Sequence, residues 1–277
     1  MNINWFPGHM MKAVREMEEK LSLVDAVVYV TDSRAINSSS NPVFNELVGN
    51  KPVLYIFNKC DLVDRNDLNK WINKFKSEGK EVIPLVGTSL KADIVINALK
   101  KACLYKIQKF ENKGAKISIR AMVIGIPNTG KSTIINSLIG KGKAITGNRP
   151  GVTRSQVWYS INGVDLLDTP GTLWGKFTDQ NTALHLAYIG SIKDDVLDKQ
   201  ELSKEFIKEA REKYPELIKA RYKLDDIPSN MDEALEKIAK SRGFIVKGGE
   251  YDLERTASTI LDDFRSGKLG KMMLEKA

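Results

Sequence analysis

The sequence predicts an α/β fold, a mostly parallel sheet flanked by helices, followed by a small all-α C-terminal domain. Three observations predict it. Apolar runs at Val24–Asp32, Pro52–Phe57, Val82–Val86 and Lys116–Ile124 alternate with helical patterns, as units of strand, crossover helix and parallel strand require. The run ending at Ile124 opens into a glycine-rich turn and then a helix start, Thr133–Ile139. Residues 200–277 read as helical throughout, broken at Pro215, Pro228 and Gly248-Gly249, with the apolar positions Leu217, Ile218, Leu235, Ile238, Ile260, Leu261 and Phe264 recurring at helical spacing.

Three regions follow. Residues 1–20 form an N-terminal segment in which Trp5 and Phe6 anchor onto the body, Pro7-Gly8 turns, and Met11, Val14, Met17 and Leu21 mark a helix. Residues 21–190 form the α/β domain, and residues 191–277 the helical domain. Within the α/β domain, helices are expected over Pro42–Val48, over Leu68–Lys80 with Trp71, Ile72 and Phe75 inward, and as one long basic helix over Asp93–Lys113. A hairpin is expected over Gln156–Leu167, turning at Asn162-Gly163, because Asn-Gly accepts the left-handed conformations of a tight turn.

The glycine turn is Gly125-Ile126-Pro127-Asn128-Thr129-Gly130-Lys131-Ser132, a match to the phosphate-binding P-loop. Backbone N–H groups and the helix N-terminus favour phosphate there. Lys131 should reach the β- and γ-phosphates and the Ser132 hydroxyl should sit on Mg²⁺, with Asn128, Thr129, Gly130 and Thr133 completing the nucleotide contacts. The second apolar strand runs into Asn58-Lys59-Cys60-Asp61, the N-K-x-D motif that reads guanine. Asp61 can accept from the ring N–H and the exocyclic amine of guanine, which adenine does not offer in that geometry. Asn58 would brace the loop and the Lys59 stem would lie over the base. The third strand ends in Gly87-Thr88-Ser89-Leu90, where Thr88 and Ser89 support the base, although Leu90 stands where alanine is usual. Lys141–Arg154 is a basic, glycine-rich loop that reads as a first switch, with Thr153 as second Mg²⁺ ligand. Asp168-Thr169-Pro170-Gly171 is D-x-x-G, in which Asp168 would bind Mg²⁺ through water and the Gly171 N–H would meet the γ-phosphate.

These are the parts of a GTPase in an unusual order. N-K-x-D and its companion loop precede the P-loop, so the domain is circularly permuted. The parts still converge, because each lies at the C-terminal end of a parallel strand. The second switch then leads directly into the C-terminal helices.

The opening Asn4-Trp5-Phe6-Pro7-Gly8-His9-Met10, the permuted order, Gly147-Asn148-Arg149-Pro150-Gly151-Val152-Thr153 and Asp168-Thr169-Pro170-Gly171 together resemble the bacterial ribosome biogenesis GTPase A (YlqF/RbgA) family over essentially the whole chain. The resemblance implies a cytoplasmic, GTP- and GDP-binding, Mg²⁺-dependent GTPase acting late in assembly of the large (50S) ribosomal subunit. Its partners would be the subunit precursor and its rRNA, with ribosomal proteins as further contacts. It also implies stimulation by the subunit, release on hydrolysis, an RNA-binding helical domain, and K⁺ held by Asn128. The stretch Asp32-Ser33-Arg34-Ala35-Ile36 departs from that family's D-A-R-I-P, and Thr129 and Thr172 depart from its apolar residues.

Hydrolysis needs a group that orients water, and Thr172, which follows the D-x-x-G motif, is too short. By local sequence His9 reads as a helix-capping or packing residue. The resemblance instead proposes it as the water-orienting group, whereas His185, in a helical stretch, reads as structural.

The net charge is +8, and all of the surplus lies before residue 200. One basic cluster falls in residues 100–120. A second, with Lys141, Lys143, Arg149 and Arg154, lies inside the switch loop and is the candidate RNA contact. The alternative reading is a nucleotide-gated rRNA-binding placeholder in which hydrolysis is incidental. Asp61 argues against an ATP-using kinase. No apolar run is long enough for a membrane helix, the N-terminus lacks a signal-peptide pattern, and Cys60 and Cys103 lack metal-ligand spacing, so reduced thiols are expected.

Overall fold

The computed structural model describes residue 3, residues 8–140, 157–175, 177 and 179–277, with the side chain of His9 outside that description. In chain order the first half runs α1 (Gly8–Leu21), β1 (Ala26–Asp32), α2 (Pro42–Val48), β2 (Val53–Asn58), α3 (Arg65–Ser77), β3 (Glu81–Leu85), α4 (Ala92–Ala102), α5 (Leu104–Glu111) and β4 (Ile119–Ile124). The second half runs α6 (Lys131–Ile139), β5 (Val157–Ile161), β6 (Val164–Asp168), α7 (Gln180–Tyr188), α8 (Lys199–Lys213), α9 (Pro215–Tyr222), α10 (Met231–Arg242) and α11 (Leu253–Arg265).

The sheet order is β3-β2-β1-β4-β6-β5. Every pair is parallel except β5 with β6. Strand β1 is buried on both faces, as a parallel strand covered by helices must be. Permutation leaves the sheet intact. The first three strands form one half, the next three the other, and β1 beside β4 is the seam. Register then sets the functional edge: Asp32 lies opposite Asn58, and Val123 opposite Asp168.

The β5–β6 turn forms at Asn162 (φ 46°) and Gly163 (φ 79°), both left-handed as the Asn-Gly pair predicts. Trp71, Ile72 and Phe75 of α3 are buried with Phe57 as expected. The expected single helix over Asp93–Lys113 is two helices. Cys103 breaks it, with φ −107° and ψ 17°, keeping its own side chain in the sheet core while Leu104 and Tyr105 turn out to solvent. Ile3 and Met10 join the core of the C-terminal helices, and Ala13 and Met17 pack against the sheet, so the N-terminal segment bridges the two. Trp5 and Phe6 lie outside the described residues.

Helices α7–α11 share one apolar core, in which Tyr188, Phe206 and Phe264 pack ring against ring with centroids 5.2 and 4.9 Å apart. The break expected at Gly248-Gly249 is a turn across which Ile245 and Tyr251 pair, but the helical pattern expected to the end of the chain stops with α11 at Arg265. Gly267 (φ 76°) and Gly270 (φ 103°) turn the chain out of helix into a tail. That tail runs back to the α/β domain, where the Met272 N–H donates to Leu62 O at 3.0 Å and the Leu274 N–H to Arg34 O at 2.8 Å. Met273 buries beside Phe57 and Trp71, a contact of about 1.5–3 kcal/mol for a fully buried side chain.

Candidate nucleotide site

The P-loop lies between β4 and α6 and is braced by the Asn58 side chain. A Cβ on Gly130 (φ 94°) would lie 2.2 Å from the Asn58 side-chain nitrogen, so only glycine lets the two loops meet. Asn58 is the brace the sequence suggested. Its Nδ2 donates to Thr129 O at 2.7 Å, and its Oδ1 accepts from the Gly87 N–H at 2.8 Å. One side chain thus ties the P-loop to the loop carrying Thr88 and Ser89, both exposed at the same edge. Asp61 is also exposed, on a short turn over Cys60–Leu62, where it is free to meet a base.

Lys131 is buried and donates to Ile126 O at 2.8 Å. Burial lowers its pKa to about 8, with the nearby Asp168 carboxylate working the other way. A phosphate arriving there would restore the full charge. Gly171 sits against this loop, since a Cβ on it would lie 2.7 Å from Pro127 and 2.8 Å from Lys131 Nζ. D-x-x-G and P-loop therefore meet as the motifs require. Thr129 is turned inward, its hydroxyl donating to Ile126 O at 3.1 Å. Thr133 is exposed on the first turn of α6.

Ser132, half-buried on the first turn of α6, and Asp168, buried at the end of β6, supply a hydroxyl and a carboxylate at the P-loop edge. Hard oxygen donors, few in number, suit Mg²⁺, which keeps several waters. The described residues fit that ion. Asn128 stands in a left-handed conformation (φ 62°), and its Nδ2 donates to Gly190 O at 2.5 Å. That leaves Oδ1 as the atom able to ligate a monovalent cation.

Thr172 is fully buried, and its hydroxyl has no hydrogen-bond partner among the described residues. A buried hydroxyl cannot orient a water at the γ-phosphate position. His185 is structural, as its helical setting suggested. It lies between Glu209 (3.1 Å) and Glu275 (3.3 Å). Burial works against its charge, but the two carboxylates outweigh this and raise its pKa to about 9. Lys141, Lys143, Arg149, Thr153 and Arg154 lie outside the described residues. In the other basic stretch, Lys106 pairs with Asp25 and Arg120 lies over the Trp158 ring at 6.0 Å, while Lys101, Lys109, Lys113 and Lys116 remain exposed.

Two parts of the site were not legible beforehand. Lys59 Nζ donates both to Asn128 O (2.9 Å) and to the buried Asp32 carboxylate (2.8 Å), which Arg34 also grips. The P-loop carbonyl of Pro127 accepts from the Ser191 hydroxyl at 2.7 Å. The only prior signal was the position of Asp32-Ser33-Arg34 at a strand's C-terminal end.

The family model described as a 50S ribosome-binding GTPase matches residues 120–242, starting at the P-loop strand and leaving N-K-x-D upstream of it, as permutation demands. A ribosome biogenesis GTPase A from Bacillus cereus is 42% identical over 99% of this chain and 94% of its own. Solved structures of YlqF from Thermotoga maritima, one GDP-bound and one GNP-bound, superpose with TM-scores of 0.68 and 0.66. Both are 28% identical, covering 95% and 96% of this chain and 99% and 98% of theirs. With 42% identity over nearly the full length, the permuted sheet, and the P-loop packed against both the N-K-x-D and D-x-x-G loops, the chain is a GTPase and belongs to the ribosome biogenesis GTPase A family.

Proposed function

We propose that this GTPase serves assembly of the large ribosomal subunit, holding the precursor's rRNA in the GTP state and leaving on hydrolysis. The observation that carries it is the seating of Leu173. Two residues past Gly171, it lies in the core shared by α7–α11. A change at the γ-phosphate position therefore acts at once on the helical domain, the part proposed to bind rRNA. The names of the relatives and the surplus of basic residues before residue 200 support the partner.

In this reading Asp61 selects guanine, Lys131 and the Gly171 N–H hold the terminal phosphates, and Ser132, Thr153 and Asp168 would hold Mg²⁺. When bound, that ion would neutralise charge on the phosphates. Asn128 would hold K⁺, which would supply a positive charge where other GTPases use an arginine. His9 orients the attacking water. Supporting that role, the neighbouring Met10 thioether accepts the Leu173 N–H at 3.4 Å, which brings the start of α1 to the second switch. Lys141, Lys143, Arg149 and Arg154 belong to a nucleotide-ordered RNA contact, so rRNA affinity should be higher with a non-hydrolysable GTP analogue than with GDP. The site of action is the cytoplasm, and among the described residues no helix is long and apolar enough to cross a membrane.

The test is GTP turnover in KCl with and without large ribosomal subunits. A large rise that His9→Ala abolishes, with GTP binding kept, supports the reading. An unchanged rise in His9→Ala removes the histidine from it. No rise in the wild type, with GTP still bound, favours the placeholder role.

A further inference from the structure

The turn Asp32-Ser33-Arg34 lies between the guanine-reading loop and the far end of the chain. On one side, the Ser33 N–H and hydroxyl both donate to Asn58 O, at 2.9 and 2.7 Å, and Asp32 Oδ2 accepts from Lys59 Nζ at 2.8 Å. On the other side, Arg34 closes a fork on Asp32, Nε to Oδ1 at 2.9 Å and Nη2 to Oδ2 at 2.8 Å. Its remaining nitrogen, Nη1, donates to the carbonyls of Phe264 (3.1 Å) and Arg265 (3.2 Å), the last residues of α11. The guanidinium also lies over the Phe264 ring, 4.8 Å from its centroid. Asp32 and Arg34 are 0% and 1% exposed.

We propose that Asp32 and Arg34 are positioning residues for guanine-nucleotide binding, and that they link nucleotide affinity to the seating of α11. A buried ion pair holds its geometry only while every donor and acceptor is satisfied. The end of a helix presents free carbonyls and a negative dipole, which satisfy and attract the guanidinium. If α11 is drawn away, Nη1 loses two acceptors in a site without solvent, and the grip on Asp32 loosens. Lys59, whose stem covers the base and whose ammonium also pins Asn128 O, then loses its anchor. Linkage is reciprocal, so nucleotide that orders Lys59 must seat α11 more firmly. A partner that pulls on the C-terminal helices would thereby hasten nucleotide release without touching the nucleotide.

The proposal rests on the guanine-reading role of residues 58–61. It is tested by hydrogen exchange on the full-length wild type with and without GDP. The expected result is about fivefold slower exchange at the Ser266, Gly267 and Leu269 amides. The Gly243 and Phe244 amides, at the end of α10, should be unchanged. In parallel, Arg34→Met should release a fluorescent GDP analogue about tenfold faster than the wild type, with Arg34→Lys between the two. Equal protection at the ends of α10 and α11 overturns the linkage, as does a folded Arg34→Met with the wild-type release rate. If Arg34→Met does not fold, the wild-type exchange result decides alone. A wild type that does not bind GDP overturns the guanine-site reading itself.

Discussion

Asp32 and His185 each centre a buried ionic cluster that joins the α/β domain to the C-terminal helices, but only the Asp32 cluster includes a residue of the N-K-x-D loop, Lys59. At Asp32, burial opposes the charge, yet Arg34 and Lys59 overcome it and hold the carboxyl well below the usual carboxylate range. At His185 the imidazolium is clasped by Glu209 and Glu275. Glu275 Oε2 also accepts from the Asn37 N–H at 2.6 Å, and its Oε1 from the Ser38 N–H at 2.9 Å and the Ser38 hydroxyl. Lys213 completes this second cluster by donating to Glu209 at 2.6 Å and to Leu274 O at 2.6 Å. Both clusters fasten the tail. The chemistry is alike, but one fastening shares Lys59 with the proposed guanine site and the other shares nothing with it. The first should therefore register in nucleotide affinity and the second in stability alone.

The largest effect that sharpens this contrast is at the nucleotide side. Lys131→Met removes a buried cation with a close match in length. GDP affinity should fall at least about a hundredfold, because a charge-assisted contact to phosphate is lost in a water-poor site. The melting temperature without nucleotide should not fall, since burial disfavours that charge in the empty protein. Calorimetric titration and thermal melts check both halves.

Next is His185→Gln. At pH 6.5 the variant should lose about 2–3 kcal/mol and melt roughly 3–5 °C lower. GDP affinity should stay within about twofold. A parallel loss of GDP affinity would break the comparison, since the second cluster would then also reach the nucleotide.

The smaller effects are pH dependences of the wild type. His185 has a folded pKa raised from 6.5 to about 9. Its contribution is therefore fully present below pH 6.5 and is lost as pH rises through 9. Denaturant melts between pH 6.5 and 9 should show that loss in the wild type and not in His185→Gln. Lys131, lowered to about 8, is neutral above that pH in the empty protein. GDP binding must then take up a proton, and affinity should decline between pH 8 and 9.5 without a matching fall in stability.

Residues that act through local pattern could be recognised in the sequence. Gly125–Ser132 follows a buried strand and opens a helix. Asn162-Gly163 fits only a left-handed turn. Trp71, Ile72 and Phe75 face one way because three and four residues make a helical turn. The break at Cys103 was not legible, because nothing in the local pattern opposes a continuous helix. It arises where the sheet core takes the Cys103 side chain and solvent takes Leu104 and Tyr105. The non-helical tail was hidden for a related reason, since nothing in its neighbours along the chain marks Leu62 and Arg34 as the acceptors of the Met272 and Leu274 amides.

Sequence alone determined the sheet-forming runs, the guanine and phosphate motifs and their permuted order, since each depends on neighbours a few positions away. Only the tertiary structure decided that Lys59 is held by Asp32 across 27 positions, Arg34 by the end of α11 across 230, and His185 by Glu275 across 90. A charged side chain carries no mark of its partner. Which opposite charge it meets, and whether water is excluded when it does, is fixed by how the helices pack against the sheet.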